Sequence, residues 1–131
     1  MINKVTSIML IDDNDDDNLF HEKVIRKSGV TDNVFTATSV VEALQQLAAF
    51  EQAPQLIFLD INMPKMNGFE FLDQYKKMDL SRNPSIIIIM LTTSLNPTDR
   101  EKASQMELIT EFRTKPLAKE ALQEIAERYF S

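Results

Sequence analysis

Short apolar runs alternate along the chain with longer stretches in which apolar residues recur at helical spacing. Five of these runs have the length and β-branched content of strands. They cover Val5–Ile11, Val34–Ala37, Leu56–Leu59, Ser85–Leu91 and Ile109–Arg113. The third and fourth are almost wholly apolar, as expected for parallel strands buried on both faces. A strand followed by a helix, repeated five times, predicts an α/β fold in which a doubly wound parallel sheet is covered by helices on both sides.

Several of the predicted helices carry start signals that satisfy their first free amide groups. Ser39 and Glu42 have the spacing of a capping box, and Asn96 followed by Pro97 places a cap and a preset φ angle at the fourth helix. The carboxylates of 15–17 are interpreted as solvent-exposed charges at the positive end of the first helix.

Two helices show an apolar stripe that should face the sheet. In the first helix the stripe consists of Leu19, Phe20, Val24 and Ile25. In the fifth it consists of Ala121, Leu122, Ile125, Ala126 and Tyr129.

Length and composition predict one domain over residues 1–131 with no room for an attached output domain, because 131 residues with 44% hydrophobic content suit a single core. The longest aliphatic segment, Ile86–Leu91, is too short to span a bilayer, so no membrane insertion is expected. A net charge of −6 argues against direct nucleic-acid binding, which needs clustered basic residues. The absence of cysteine excludes disulfides and thiolate metal sites and is compatible with the cytoplasmic location that we expect.

Polar side chains follow four of the five strands at the carboxyl edge of the predicted sheet, where ligands bind in open α/β folds. They are Asp12 and Asp13 after the first strand, Asp60 after the third, Thr92 and Thr93 after the fourth, and Lys115 after the fifth. Three carboxylates, two hydroxyls and one ammonium group are therefore expected to converge there.

Crowded carboxylates repel one another unless a cation is close. An oxygen-only set of ligands suits Mg²⁺ or Mn²⁺ better than Zn²⁺, since the chain has no cysteine and its one imidazole, His21, is interpreted as a solvent-facing residue of the first helix. With Lys115 as a second positive charge, the pocket could hold a phosphoryl group beside a carboxylate nucleophile.

Over nearly its whole length the chain resembles the response regulator receiver domains of two-component signalling. The residues that carry the resemblance are Asp12-Asp13 after an apolar strand, Asp60-Ile61-Asn62-Met63-Pro64 with Gly68 downstream, Leu91-Thr92 closing the fourth strand, and Lys115-Pro116 closing the fifth. Their order and spacing together are highly specific. The resemblance implies a flavodoxin-like, five-stranded sheet with strand order 2-1-3-4-5 and five helices.

The resemblance also implies roles for these residues. Asp60 would accept the phosphoryl group from a histidine kinase or a histidine phosphotransfer protein. Asp13 and Asp60 would bind Mg²⁺ directly, Asp12 would act mainly through water, and the backbone carbonyl of Asn62 would complete the protein ligands. Lys115 would pair with a phosphoryl oxygen, and the Lys115-Pro116 peptide would be cis.

The resemblance further implies that Thr92 and Phe112 carry the conformational response to phosphorylation. Thr92 would move toward the phosphoryl group, and Phe112 would turn into the space that it leaves. A downstream protein would then recognise the altered surface of the fourth helix, fifth strand and fifth helix. Arg113 is unusually polar for a buried strand position and is interpreted as marking an exposed strand end.

Two other functions are compatible with parts of the pattern. One is an interaction module that keeps the fold and signals without phosphorylation, which the intact acidic and lysine positions disfavour. The other is an aspartyl-phosphate phosphatase, which would need an acid/base carboxylate two residues after the nucleophile, where this chain has Asn62. We expect a signalling switch and not a turnover enzyme.

Overall fold

The computed structural model describes residues 5–50, 53–60, 68–78, 86–92, 97–98, 101, 105 and 108–130. The strands are β1 (Ile8–Ile11), β2 (Val34–Ala37), β3 (Leu56–Leu59), β4 (Ile87–Thr92) and β5 (Glu111–Thr114). The helices described in full are α1 (Asp15–Ser28), α2 (Val40–Ala49), α3 (Gly68–Lys76) and α4 (Lys119–Phe130). The helix α4 corresponds to the fifth predicted helix. Of the fourth, Asn96 lies outside the described residues, while Pro97, Thr98 and Glu101 are helical.

All strands of the sheet run parallel, in the order β2-β1-β3-β4-β5. This order confirms the predicted doubly wound fold. The central strands β1 and β3 are apolar and buried at every position, because helices cover both of their faces.

Alternate residues of β1 serve two separate cores, as the period of two in a strand requires. Met9 and Ile11 pack with α2 and α3 on one face, whereas Ile8 and Leu10 pack with α1 and α4 on the other. The sheet is thus held between two apolar layers, and its carboxyl edge is held between the helices on either side.

Two predicted strands, Val34–Ala37 and Leu56–Leu59, have the bounds that the sequence indicates. The first strand is shorter than predicted and begins at Ile8, and the fourth ends one residue later, at Thr92. The fifth is displaced to Glu111–Thr114. It pairs with β4 alone and is partly exposed, so an apolar pattern is a poor guide to its position.

The predicted inward stripe of α1 is wrong at two positions, since Leu19 and Phe20 are 53% and 50% exposed. The face that packs on the sheet carries Asn18, His21 and Ile25 instead. Its first turns lie beside the polar edge of the sheet, where a polar inner face is tolerated. The stripe predicted for the last helix is confirmed: Leu122, Ile125 and Ala126 are buried, and Ala121 and Tyr129 pack partly buried against the same core.

The helix caps agree only in part with the predicted signals. The Ser39 hydroxyl accepts a hydrogen bond from the Glu42 backbone N–H at 3.1 Å, but the Glu42 carboxylate accepts from Thr38 and does not close the box on Ser39. At the start of α1 the cap is Asn14, whose Oδ1 accepts from the Asp17 backbone N–H at 3.0 Å. None of the helices described here is both long enough and apolar enough to cross a bilayer.

Two phenylalanines in helices offer a matched test of this packing. Phe71 is fully buried in α3, so Phe71→Ala should lower the free energy of unfolding by about 3–5 kcal/mol through lost apolar contacts and a residual cavity. Phe20→Ala should cost about 1 kcal/mol or less, because that ring is half exposed and packs edge-to-face against His21. Urea unfolding of both variants measures the difference, and equal losses would contradict the described orientation of α1.

Candidate functional site

Two acidic side chains are brought together by the register of the central strands. Ile11 and Leu59 are opposite one another in the pair of β1 and β3, so Asp12 and Asp60 leave the sheet side by side. The backbone N–H of Asp60 donates to the carbonyl of Ile11 at 2.9 Å, which closes the ladder at this point. The predicted meeting of these two carboxylates at the carboxyl edge is confirmed.

Asp13 joins this pair to form a cluster of three carboxylates. One oxygen from each of Asp12, Asp13 and Asp60 lies within 4.8 Å of the others. Asp12 and Asp60 are 5% and 6% exposed, whereas Asp13 is open to solvent. Such crowding favours a hard cation that accepts oxygen ligands and keeps part of its water shell on the open side.

The two oxygens of Asp12 already have partners within the protein. Its Oδ1 accepts from the backbone N–H of Asn14 at 3.0 Å, and its Oδ2 accepts from Lys115 Nζ at 2.5 Å. Asp13 remains the more open carboxylate of the cluster. This difference favours a direct metal contact for Asp13 over one for Asp12.

Lys115 is the cation that faces the cluster, as predicted, and its side chain is only 9% exposed. Nζ also donates to Asp17 Oδ2 at 2.8 Å and lies 3.6 Å from Asp60 Oδ2. Burial alone would lower the pKa of Lys115, but the hydrogen bonds to Asp12 and Asp17 and the charge of Asp60 outweigh it and raise this pKa. Lys115 therefore stays charged, and its peptide bond to Pro116 is cis, as the resemblance implied.

The interpretation of 15–17 as solvent-exposed charges is confirmed for Asp15 and Asp16 but incomplete for Asp17, whose side chain is 37% exposed and also pairs with Lys115. Asp17 lies one helical turn after the cap and turns toward the sheet, where it meets Lys115. Sequence reasoning missed it because three consecutive acidic residues give no indication of which one faces inward.

His21 is also placed differently from the prediction, since it is buried with 3% exposure. It lies on the same face of α1 as Asn18, whose Nδ2 donates to the carbonyl of Asp12 at 2.9 Å. Both side chains line a small cavity together with Asp12 and Asp60, with room for about one water molecule. Burial, and then the charge of Lys115, lower the pKa of His21, which keeps its imidazole neutral. The three-residue spacing between Asn18 and His21 places both side chains on one face of a helix, and this spacing was the feature of the sequence that could have predicted the burial of His21.

The remaining predicted residues are described only in part. Thr92 ends β4 opposite Thr114, so its backbone lies at the same edge as the acidic cluster. Its side chain lies outside the described part of the structure, and so do Asn62 and Thr93. Phe112 pairs with Met90 across β4 and β5 and packs, partly buried, against the core that contains α2 and α3.

A network of charges that the sequence did not reveal joins β5 to α4. Arg113 bonds to Glu111 at 2.9 Å and to Glu124 at 3.0 Å, and Arg128 bonds to both of these carboxylates at 3.1 Å. Burial alone would raise the pKa of Glu111, but hydrogen bonds from Arg113 and Tyr129 outweigh it and lower this pKa. Arg113 therefore links the edge strand β5 to the helix α4 through ion pairs.

Comparison with known proteins agrees with this geometry. The family model of the response regulator receiver domain matches residues 8–127. The sensor histidine kinase CheAY of Helicobacter pylori is 31% identical over 121 residues, which are 92% of this chain and 14% of that protein. A two-component response regulator from Cytophaga hutchinsonii has a TM-score of 0.83 at 32% identity and covers 97% of this chain and 98% of its own. A response regulator receiver protein from Dyadobacter fermentans has a TM-score of 0.85 at 30% identity, with 95% and 98% covered.

The chain belongs to the family of response regulator receiver domains, the switch domains of two-component signalling. This confirms the resemblance seen in the motifs. The chain spans only 14% of the length of the Helicobacter kinase, so that likeness concerns the receiver fold and not the kinase activity.

Acidification should destabilise the folded protein through His21. Because the pKa of His21 is lowered on folding, the unfolded chain binds more protons between the lowered folded pKa and the ordinary value of 6.5. The free energy of unfolding therefore falls as the pH drops through this range. His21→Gln carries no titrating group and should lack this part of the pH dependence. Urea unfolding at about pH 8 and about pH 5.5 tests this, and parallel pH profiles for the two proteins would refute it.

Proposed function

We propose that Asp60 accepts a phosphoryl group from a phosphohistidine donor and that the chain works as a phosphorylation-controlled switch. The observation that carries this proposal is the meeting of Asp12, Asp13 and Asp60 with the buried ammonium group of Lys115. A purely structural carboxylate would not need two acidic neighbours, whose repulsion is unfavourable for folding.

The donor set fits the magnesium ion that receiver domains bind. Asp13 and Asp60 would be direct ligands, Asp12 would act through water because Asn14 and Lys115 already bond to it, and Asn62 would contribute its backbone carbonyl. Mn²⁺ suits the same oxygens. When bound, the cation offsets the negative charge of the carboxylates and of the incoming phosphoryl group.

In the transfer step a carboxylate oxygen of Asp60 attacks phosphorus, the phosphorus–nitrogen bond of the donor breaks, and the imidazole leaves with the electron pair. The carboxyl edge lets the donor approach from the open side, where Asp13 is exposed. Lys115 then pairs with a phosphoryl oxygen, and Thr92 donates to another. Water later hydrolyses the acyl phosphate and restores Asp60, so the protein acts on itself and not on an outside substrate.

The conformational change caused by phosphorylation would reach the surface of the protein through β5. Phe112 lies in this edge strand, between Glu111 and Arg113, which connect it to α4. A shift of Thr92 at the end of β4 would reach Phe112 through the neighbouring strand and change the surface formed by the fourth predicted helix, β5 and α4. A downstream protein would recognise that surface. The phosphoryl donor would be a histidine kinase or a histidine phosphotransfer protein. Because such a donor is itself phosphorylated at the expense of ATP, this partner implies that the chain acts in the cytoplasm.

The first test is direct phosphorylation. The protein is incubated with Mg²⁺ and a small phosphodonor such as acetyl phosphate, and its intact mass is measured. The wild-type protein should gain one phosphate, and Asp60→Asn should gain none. If no small donor and no phosphorylated kinase domain yields an adduct, the proposal fails and the unphosphorylated interaction module takes its place.

A second test concerns the metal. Asp13→Asn should weaken Mg²⁺ binding by about tenfold or more, because it removes the open carboxylate ligand. The metal-free variant should be at least as stable as the wild type, since repulsion within the cluster falls. Calorimetric titration with Mg²⁺ and urea unfolding measure the two effects. Asp16→Asn, the same charge change on exposed α1, is the control; an equal loss of affinity in both variants would exclude Asp13 as a ligand.

A further inference from the structure

Lys115 is shared between the acidic cluster and the first helix. An ammonium group has three donors. Two of those of Lys115 go to Asp12 at 2.5 Å and to Asp17 at 2.8 Å, while Asp60 is 3.6 Å away, beyond an ordinary hydrogen bond. In this state Lys115 is held more closely by its neighbours than by the carboxylate that we propose is phosphorylated.

Two features of α1 stabilise the ion pair between Asp17 and Lys115. Its backbone N–H donates to the cap Asn14, which fixes the first turn of α1, and a carboxylate in that turn is stabilised by the positive end of the helix. Asp17 is not part of the three-carboxylate cluster. Its carboxylate therefore draws Lys115 toward α1 without needing to bind the metal.

We propose that Asp17 is a positioning residue that holds Lys115 away from Asp60 until a phosphoryl group arrives. This inference rests on the proposed phosphorylation of Asp60, and it adds that Asp17 competes with the phosphoryl group for Lys115. A phosphoryl group on Asp60 carries more negative charge than the carboxylate and offers acceptor oxygens, so it takes Lys115 from Asp17. The ion pair of Asp17 is lost in exchange, which weakens the net attraction of the site for the phosphoryl group.

Removal of Asp17 has opposite consequences in the two states. Without phosphate, Lys115 turns to Asp12 and Asp60 alone and competes more strongly with a metal ion for their oxygens. With a phosphoryl group in place, Lys115 pairs with it and gives up no partner. Asp17→Asn therefore weakens the binding of Mg²⁺ and strengthens the binding of a phosphoryl group.

The experiment compares Asp17→Asn with Asp16→Asn, which makes the same charge change one residue away at an exposed position. Mg²⁺ affinity is measured by calorimetry, and beryllofluoride, a phosphoryl mimic that is not hydrolysed, is titrated at saturating Mg²⁺. Relative to Asp16→Asn, the Asp17→Asn variant should bind Mg²⁺ about two- to fivefold more weakly and beryllofluoride about two- to fivefold more tightly. Asp17→Glu keeps the charge and should return both affinities toward the wild type.

A direct readout of Lys115 is its side-chain NMR signal. The ε-carbon resonance should shift in metal-free Asp17→Asn and stay unchanged in Asp16→Asn, which a merely structural role of Asp17 in the helix would not produce. Opposite changes of the two affinities, together with this shift, support the proposal. Equal affinities in the two variants, changes of the same sign, or an unmoved resonance overturn it.

The failure of the proposed function has a different signature. If the wild type binds no beryllofluoride and forms no phosphate adduct, phosphorylation of Asp60 is wrong. The Mg²⁺ affinity and the NMR shift then test separately whether Asp17 positions Lys115. A weaker Mg²⁺ affinity in Asp17→Asn than in Asp16→Asn, together with a shifted Lys115 resonance, supports this role, and any other result rejects it.

Discussion

The site depends on one electrostatic balance, that between the buried ammonium group of Lys115 and the carboxylates around it. Asp12 and Asp60 are almost fully buried, and each would be unfavourable there without a nearby positive charge. Lys115 supplies that charge from the end of the edge strand β5, while Asp12 and Asp60 extend from the two central strands. Among the described residues, Lys115 faces the carboxylates of Asp12, Asp17 and Asp60, and Asp13 adds a fourth carboxylate beside Asp12 and Asp60. A divalent cation can neutralise the excess negative charge.

The fold provides this balance through parallel pairing. All strands end at the same edge, and the register of β1 and β3 places Asp12 beside Asp60 with no help from their own side chains. The two apolar layers on either side of the sheet hold this edge in place. The polar residues at the edge can therefore be arranged for chemistry at some cost in stability, because packing elsewhere offsets it.

The helix α1 contributes more to the site than its sequence indicates. Its inner face begins with Asn18 and His21, beside the partly exposed Asp17, and its apolar contacts with the core come later, from Val24 and Ile25. Asn18 donates to the backbone carbonyl of Asp12 at the end of β1, and His21 lines the small cavity that Asp12 and Asp60 also line. A helix whose first turns face a charged pocket exposes some of its apolar residues instead, which is why Leu19 and Phe20 face outward.

Much of the molecule was determined by sequence alone. The apolar runs predict the strands, the strand and helix alternation predicts a doubly wound sheet, and the carboxyl-edge rule selects Asp12, Asp13, Asp60 and Lys115 without any structure. These inferences succeed because burial and strand direction depend on local pattern. Only the tertiary structure decided which carboxylates share Lys115, that His21 is buried, and that Arg113 connects β5 to α4. Such pairings depend on the angle at which a helix meets the sheet and on the reach of long side chains, and neither is encoded in the spacing of apolar residues.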